Sequence, residues 1–154
     1  MEIELIKNAD LELQRRLVYL ENQAFGSGGL NEWHLIPLIR HGRVFAARKD
    51  QTVIGVIEYM LDWDNPRKAY MIGVSIAKEA RGQGLGTEFI RRTLQALCHE
   101  NVTEIELTVH PENLAAIRVY ETKLGFKTKE LRANEYGCGE DRLVMTVLLE
   151  SYKK

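Results

Sequence analysis

Arg81-Gly82-Gln83-Gly84-Leu85-Gly86-Thr87 is the stretch whose residue types and spacing suit a definite chemistry, the holding of a phosphate. Glycine at 82, 84 and 86 removes Cβ atoms at alternate positions, so the backbone can turn tightly and approach a ligand closely. Before it, Ile72 to Ile76 is apolar and rich in β-branched residues. After it, Leu85, Phe89, Ile90, Leu94 and Leu97 recur at helical spacing. Strand, glycine-rich turn, helix is therefore predicted. The first amides of such a helix are unpaired and its N-terminus carries a partial positive charge, which suits an anion. Arg81 adds a charged fork at the mouth. Spacing excludes two familiar cradles. A P-loop ends in Gly-Lys-Ser/Thr, and no such tripeptide follows these glycines. A dinucleotide fingerprint needs a third glycine three residues after a Gly-x-Gly pair, and those positions are Thr87 and Phe89. What remains is Arg81-x-x-Gly84-x-Gly86 behind an apolar strand, a cradle for a pyrophosphate.

The elements that must position this cradle follow from pattern. Glu2 to Lys7 alternate polar and apolar residues and are predicted as a strand. Asn8-Ala9-Asp10 caps an amphipathic helix with Leu13, Leu17, Leu20 and Ala24 on one face. Gly26-Ser27-Gly28-Gly29 breaks it as a mobile loop, and Asn31 caps a shorter helix carrying Trp33, Ile36, Leu38 and Ile39 up to Gly42. Arg43 to Arg48, Thr52 to Asp62 and Lys68 to Ile76 form a meander of three strands, the last feeding the cradle. A long helix, about 84 to 100, precedes a strand from Glu104 to His110. There Ile105, Leu107 and Val109 face one side and Glu106, Thr108 and His110 the other. Asn113 opens a helix with Leu114, Ile117 and Leu124 on its apolar face, and Gly125 is its C-cap. Phe126 to Leu149 forms two antiparallel strands joined around Asn134 to Glu140. This order of elements is a mixed α/β layer fold.

Composition bounds the rest. A chain of 154 residues fits a single domain, 1–154, large enough for a core without staples. Hydrophobic residues at 45% and charged residues at 28% are ordinary for a soluble globular protein. A net charge of −1 gives no reason to expect nucleic acid or an anionic membrane as a partner. No apolar run approaches the roughly 18 residues of a membrane span, and no basic-then-apolar leader is present. Cys98 and Cys138 lie far apart without metal-ligand spacing, so a reduced pair in the cytoplasm and no metal are expected.

The cradle, Arg81-x-x-Gly84-x-Gly86 behind a strand, resembles the acetyl-coenzyme A (acetyl-CoA) motif of the GNAT superfamily of N-acetyltransferases. A second stretch agrees with it. Asn113-Leu114-Ala115-Ala116-Ile117-Arg118-Val119-Tyr120-Glu121-Thr122-Lys123-Leu124-Gly125-Phe126 is similar to the family's asparagine, small and apolar residues, tyrosine, then Leu-Gly-Phe. The resemblance covers roughly residues 50 to 150 by motif and the first 50 by topology. It implies the GNAT fold, a central mixed, mostly antiparallel and splayed sheet flanked by helices. It implies acetyl-CoA as the acetyl donor, with the pantetheine arm bonded to backbone around Val74, Ser75 and Ile76. Arg81, Gly82, Gln83, Gly84, Gly86 and Thr87 are then expected at the pyrophosphate, and Asn113 and Tyr120 along the coenzyme. Leu20-Glu21 with Ala24-Phe25, and Asn134-Glu135-Tyr136 followed by Glu140-Asp141, are more weakly similar to the ribosomal-protein N-terminal alanine acetyltransferases. Many relatives pair as dimers, so a homodimer is carried as an expectation.

The implied reaction is direct attack of a primary amine on the thioester in a ternary complex. An aliphatic amine has a pKa near that of lysine, about 10.4, so a base or a water chain must take a proton. A backbone amide near Val74 is expected to support the oxyanion. Tyr120, at the family position facing the sulfur, is the expected general acid. Thr108 stands where the closer relatives carry a glutamate or histidine base, and threonine cannot take that role. Glu58 heads the remaining candidates, because it stands mid-strand among Val56, Ile57 and Tyr59 where an idle carboxylate is costly to bury. Tyr70 is second, a water chain third, and Asp62, Glu106 and His110 complete the set. Lys78 is expected as a solvated turn residue, its alternative role being the coenzyme's 3′-phosphate. The acceptor is an amine, either a small molecule or a protein N-terminus. The competing function is a catalytically silent GNAT-fold module that binds acyl-CoA, which the missing base at Thr108 motivates.

Overall fold

The computed structural model describes residues 1–153. In chain order the elements are β1 (Glu2–Leu5), α1 (Leu11–Phe25), α2 (Glu32–His41), β2 (Arg43–Lys49), β3 (Thr52–Leu61), β4 (Lys68–Ile76), α3 (Leu85–Cys98), β5 (Glu104–Val109), α4 (Leu114–Leu124), β6 (Lys127–Arg132) and β7 (Arg142–Leu148). The strands form one mixed sheet in the order β1-β2-β3-β4-β5-β7-β6. The pairs β1/β2, β2/β3, β5/β7 and β6/β7 are antiparallel, while β4 runs parallel to β5 with Lys68–Tyr70 against Glu104–Glu106. This is the mixed α/β arrangement that the order of elements predicts, with the mixed, mostly antiparallel sheet that the resemblance implies.

By contact density the chain divides into two compact units. The first comprises Met1–Leu61 and Met71–Thr93. Its core includes Leu17 and Leu20 of α1, Leu35 and Ile39 of α2, Val44 to Ala47 of β2, Val56, Ile57 and Tyr59 of β3, and Phe89. Local signals set its boundaries. Asp10 caps α1 by accepting the Leu13 amide at 2.8 Å, a contact typically contributing about 1 kcal/mol. Asn31 and His34 form a reciprocal cap at the start of α2. One expectation is corrected here. Trp33, placed on the apolar face of α2, is 81% exposed, and Leu35 takes the core position instead. Gly26–Gly28 forms a 3-10 turn, and beyond it the Leu30 amide donates to Glu21 Oε2 at 3.1 Å.

The second unit comprises Asp62–Tyr70 and the chain from Leu94 onward. Ile105, Leu107 and Val109 of β5 are buried with Val144, Met145 and Val147 of β7, and Leu124 and Phe126 join them. Asn113 caps α4 through the Ala116 amide, and Gly125 closes it in the left-handed conformation at φ 77°. Leu114, expected on the apolar face of α4, is 69% exposed. Among the described residues no helix is long and apolar enough to cross a membrane.

Candidate active site

Val74, Ser75, Ile76, Glu58 and the whole Arg81–Thr87 cradle fall in the first unit, and Tyr70, Asn113 and Tyr120 in the second. Each set is built by its own local structure.

In the first unit β4 delivers the chain to a short 3-10 turn, Lys78–Ala80, and then to the glycines that open α3. Gly82 and Gly84 take φ values of 76° and 73°, and a Cβ added at either would meet no atom within 4 Å. The first fact favours glycine, because the left-handed backbone strains other residues, and the second leaves open space beside the turn. The unpaired amides of the first turn of α3 border that space. A phosphate therefore fits this loop. The Arg81 Nε donates to the Ile76 carbonyl at 2.9 Å, which holds the arginine at the mouth of the turn. The Lys78 amide donates to the Gln23 side chain at 3.0 Å, tying the turn to α1. Val74 and Ile76 are half-buried, whereas Ser75 is buried and its hydroxyl points to Glu21 Oε1 at 3.5 Å.

Glu58 lies in β3 opposite Val44 and has no exposed surface. Both its carboxyl oxygens are buried, and with the group ionised neither has a hydrogen-bond donor among the described residues. Its neighbour is another carboxyl, Glu21 of α1, itself 1% exposed. Two ionised carboxylates cannot donate to each other, but one proton between them makes a hydrogen bond. Burial first, and then the Glu21 carboxyl, raises Glu58 well above the usual carboxylate range. A Cβ on Gly73 of β4 would stand 3.6 Å from Glu58 Oε2 and 3.6 Å from the Phe25 ring. Glu21 was not foreseen as part of a site. The signal was present: spacing with Leu17, Leu20 and Ala24 puts it on the core face of α1.

In the second unit, the register of β4 on β5 sets Tyr70 beside Glu106, next to Thr108. The Tyr70 hydroxyl lies 2.8 Å from the Thr108 hydroxyl and 3.3 Å from that of Tyr136, from the loop between β6 and β7. Burial, together with Tyr136 and Glu106, outweighs the Thr108 hydrogen bond and pushes the Tyr70 phenol up to about 12. Tyr120 on α4 packs its ring on Phe126 with centroids 5.6 Å apart, and burial raises its phenol as well. The Asn113 side-chain oxygen accepts the Ala116 amide, so this residue is a helix cap by its own geometry.

The other strand-face candidates are engaged elsewhere. Glu106 is ion-paired to Lys68 at 3.3 Å and to Arg132 at 3.8 Å. Asp62, expected at the end of β3, lies in the turn beyond it. There the Asp64 amide, followed by Lys68, holds its carboxyl below the usual range. The His110 Nδ1 accepts the Glu112 amide at 3.1 Å and staples a turn.

Comparison with known proteins places this geometry. Residues 12–126 match the acetyltransferase (GNAT) family model. An uncharacterized N-acetyltransferase of Methanocaldococcus jannaschii is 32% identical over 118 residues, 75% of this chain and 70% of that protein. The ribosomal-protein-S18-alanine N-acetyltransferase of Escherichia coli superposes with a TM-score of 0.79 at 19% identity, covering 96% of this chain and 93% of the other. An aminoglycoside 6′-N-acetyltransferase solved with coenzyme A has a TM-score of 0.78 at 14% identity, with 97% of each chain covered. At such identities the two structures speak for the fold, while the family match spans most of the sequence. The chain belongs to the GNAT family of acetyltransferases, enzymes that take an acyl group from acyl-coenzyme A.

Proposed function

We propose that this chain transfers an acetyl group from acetyl-CoA to a primary amine by direct attack of that amine on the thioester. The observation that carries the proposal is the Arg81–Gly86 loop, with Gly82 and Gly84 in left-handed conformations facing open space at the start of α3, in a chain of this family. The loop amides and Arg81 would hold the pyrophosphate, with Gln83 and Thr87 at its edge and the partly open backbone at Val74 and Ile76 along the pantetheine. When bound, the coenzyme supplies the activated acetyl group. The relatives' names support an amine acceptor, since one concerns an alanine of a ribosomal protein and the other an aminoglycoside.

The residue roles follow from acid–base chemistry. The acceptor arrives as an ammonium and must lose a proton before it can attack. Glu58 is assigned that proton. A carboxyl raised toward the working pH is a better-matched base than an ordinary one, and its uncompensated burial makes a proton on it welcome. Tyr120 is assigned the proton for the leaving thiolate. A phenol raised by burial is protonated at neutral pH, as an acid must be. Tyr70, pushed up to about 12, is held neutral and is better suited to orient the acceptor than to deprotonate it. The two free cysteines, Cys98 and Cys138, suit a reducing compartment, so the cytoplasm is the proposed location.

The alternative, a silent acyl-CoA-binding module, is favoured by one observation. Thr108 occupies a place where a base would be useful and spends its hydroxyl on Tyr70. Release of free thiol from acetyl-CoA with a panel of primary amines separates the two. Amine-dependent release is expected; tight acetyl-CoA binding without release on any amine would leave the module.

A further inference from the structure

We infer that Glu21 is a positioning residue for the proposed transfer: its buried carboxylate makes Glu58 take, and then hold by a hydrogen bond, the proton of an acceptor that arrives as an aliphatic ammonium. The inference rests on the proposed reaction and adds a residue to it.

The two carboxyls are unlike in their surroundings. Glu21 has donors for both oxygens, the Ser75 hydroxyl at 3.5 Å on Oε1 and the Leu30 amide at 3.1 Å on Oε2. Glu58 has none among the described residues, although no part of it reaches solvent. A buried, hydrogen-bonded carboxylate is the better place for negative charge, and a buried orphan is the better place for a proton. Glu58 is therefore the carboxyl of the pair that takes the proton, and it donates that proton back to Glu21. Among the described residues Glu21 is the charged group acting on Glu58. Its other neighbours, Phe25 of α1, Val44 of β2 and Gly73 of β4, carry no charge.

With both carboxyls ionised, the pair presents two negative charges to an incoming R–NH3⁺. One N–H bond breaks and an O–H bond forms on Glu58, the proton passing inward through a water because the carboxyl itself is buried, and this leaves a neutral amine and a pair with one proton and one charge. The amine then attacks the acetyl carbon, Tyr120 gives its proton to the leaving thiolate, and the surplus N–H proton passes to the Tyr120 phenolate. The Glu58 proton then leaves through the same water, restoring the pair. Without the Glu21 charge, Glu58 would be the weaker base, because like charges at close range are what the shared proton relieves. The same carboxylate pins the Gly26–Gly29 turn through Leu30, and Gly29 sits so close that a Cβ there would lie 2.7 Å from the Glu21 carbonyl oxygen. A purely structural role for Glu21 is thus a concrete alternative.

Glu21→Gln separates the two roles. Glutamine keeps the shape and an oxygen for the Leu30 amide, but it loses the charge and can donate to Glu58. The acid limb of kcat/KM with an alkylamine acceptor should move to lower pH by about one unit or more. An unmoved limb in a folded, active Glu21→Gln enzyme would overturn the inference. The wild-type protein gives a second measurement that needs no variant to fold. Infrared titration should show a protonated buried carboxyl persisting at least about one pH unit above an ordinary glutamate near 4.3, and Glu58→Gln should remove that band. Its absence from the wild type would also overturn the inference. If the wild type releases no thiol with any amine, the transfer reaction fails and this inference falls with it. Turnover with an unmoved limb removes the inference alone.

Discussion

A methyl group placed on Gly73 would stand 3.6 Å from Glu58 Oε2, in ordinary van der Waals contact with the carboxyl assigned to take the acceptor's proton. The same methyl would lie 3.6 Å from the Phe25 ring. Gly73→Ala should therefore fold normally while setting a methyl against the Glu58 carboxyl. We expect kcat/KM for the amine to fall by about tenfold or more, since small displacements of a reacting group are costly. Binding of acetyl-CoA, followed by calorimetry, should be nearly unchanged. Unaltered amine kinetics would place the acceptor elsewhere.

Gly84 tests the cradle. Its φ of 73° makes any branched residue strained there, by about 1–2 kcal/mol. In a domain of this size that lowers Tm by several degrees. Acetyl-CoA should raise the wild-type Tm because it binds the folded state. In Gly84→Val the side chain would project into the open space above the turn. The variant should thus melt lower and show no coenzyme-induced rise. A preserved rise in folded Gly84→Val would remove the pyrophosphate assignment.

Tyr120→Phe tests the acid. The ring's packing on Phe126 is retained and only the hydroxyl is lost. We expect acetyl-CoA affinity to hold and kcat to fall roughly 10²-fold, with the alkaline limb of the pH–rate profile altered. A packing role alone predicts near-normal turnover and at most a modest fall in Tm. Steady-state rates and one melting curve decide between them, and wild-type kcat would end the general-acid role.

The buried carboxyl of Glu58 also leaves a mark on stability against pH. Its folded-state pKa is raised, first by burial and then by Glu21, so the folded protein holds a proton that the unfolded chain releases. Below the unfolded value of about 4.3 both states are protonated and this group costs nothing. As pH rises from there toward the raised folded value, the unfolded state gains, and the cost stays constant above it. Glu58→Gln should accordingly melt higher than the wild type by a margin that is small in acid and grows toward neutral pH. A margin independent of pH would show that Glu58 titrates normally.

What could be recognised in the chain without its fold lies within a few residues of itself. The caps at Asp10, Asn31 and Asn113, the stop at Gly125 and the glycine turn at 82 to 86 each act over about one helical turn. Their geometry is a local property of residue type and spacing. The strand faces of Ile105, Leu107 and Val109 were legible for the same reason, because pleat alternation is intrinsic to a strand. The partners of the polar residues were not. Tyr70 meets Thr108 through the parallel register of β4 on β5, and Glu106 meets Lys68 across that same pair. Glu21 meets Glu58 because the core face of α1 carries it against β3, and Trp33 is exposed where Leu35 is buried because packing chose the face of α2. Periodicity names the candidates for a buried face, but long-range register and packing choose which side chains touch. That is why the cradle could be read residue by residue, while a carboxyl's role as base, ion-pair partner or turn staple depended on what the folded chain brought beside it.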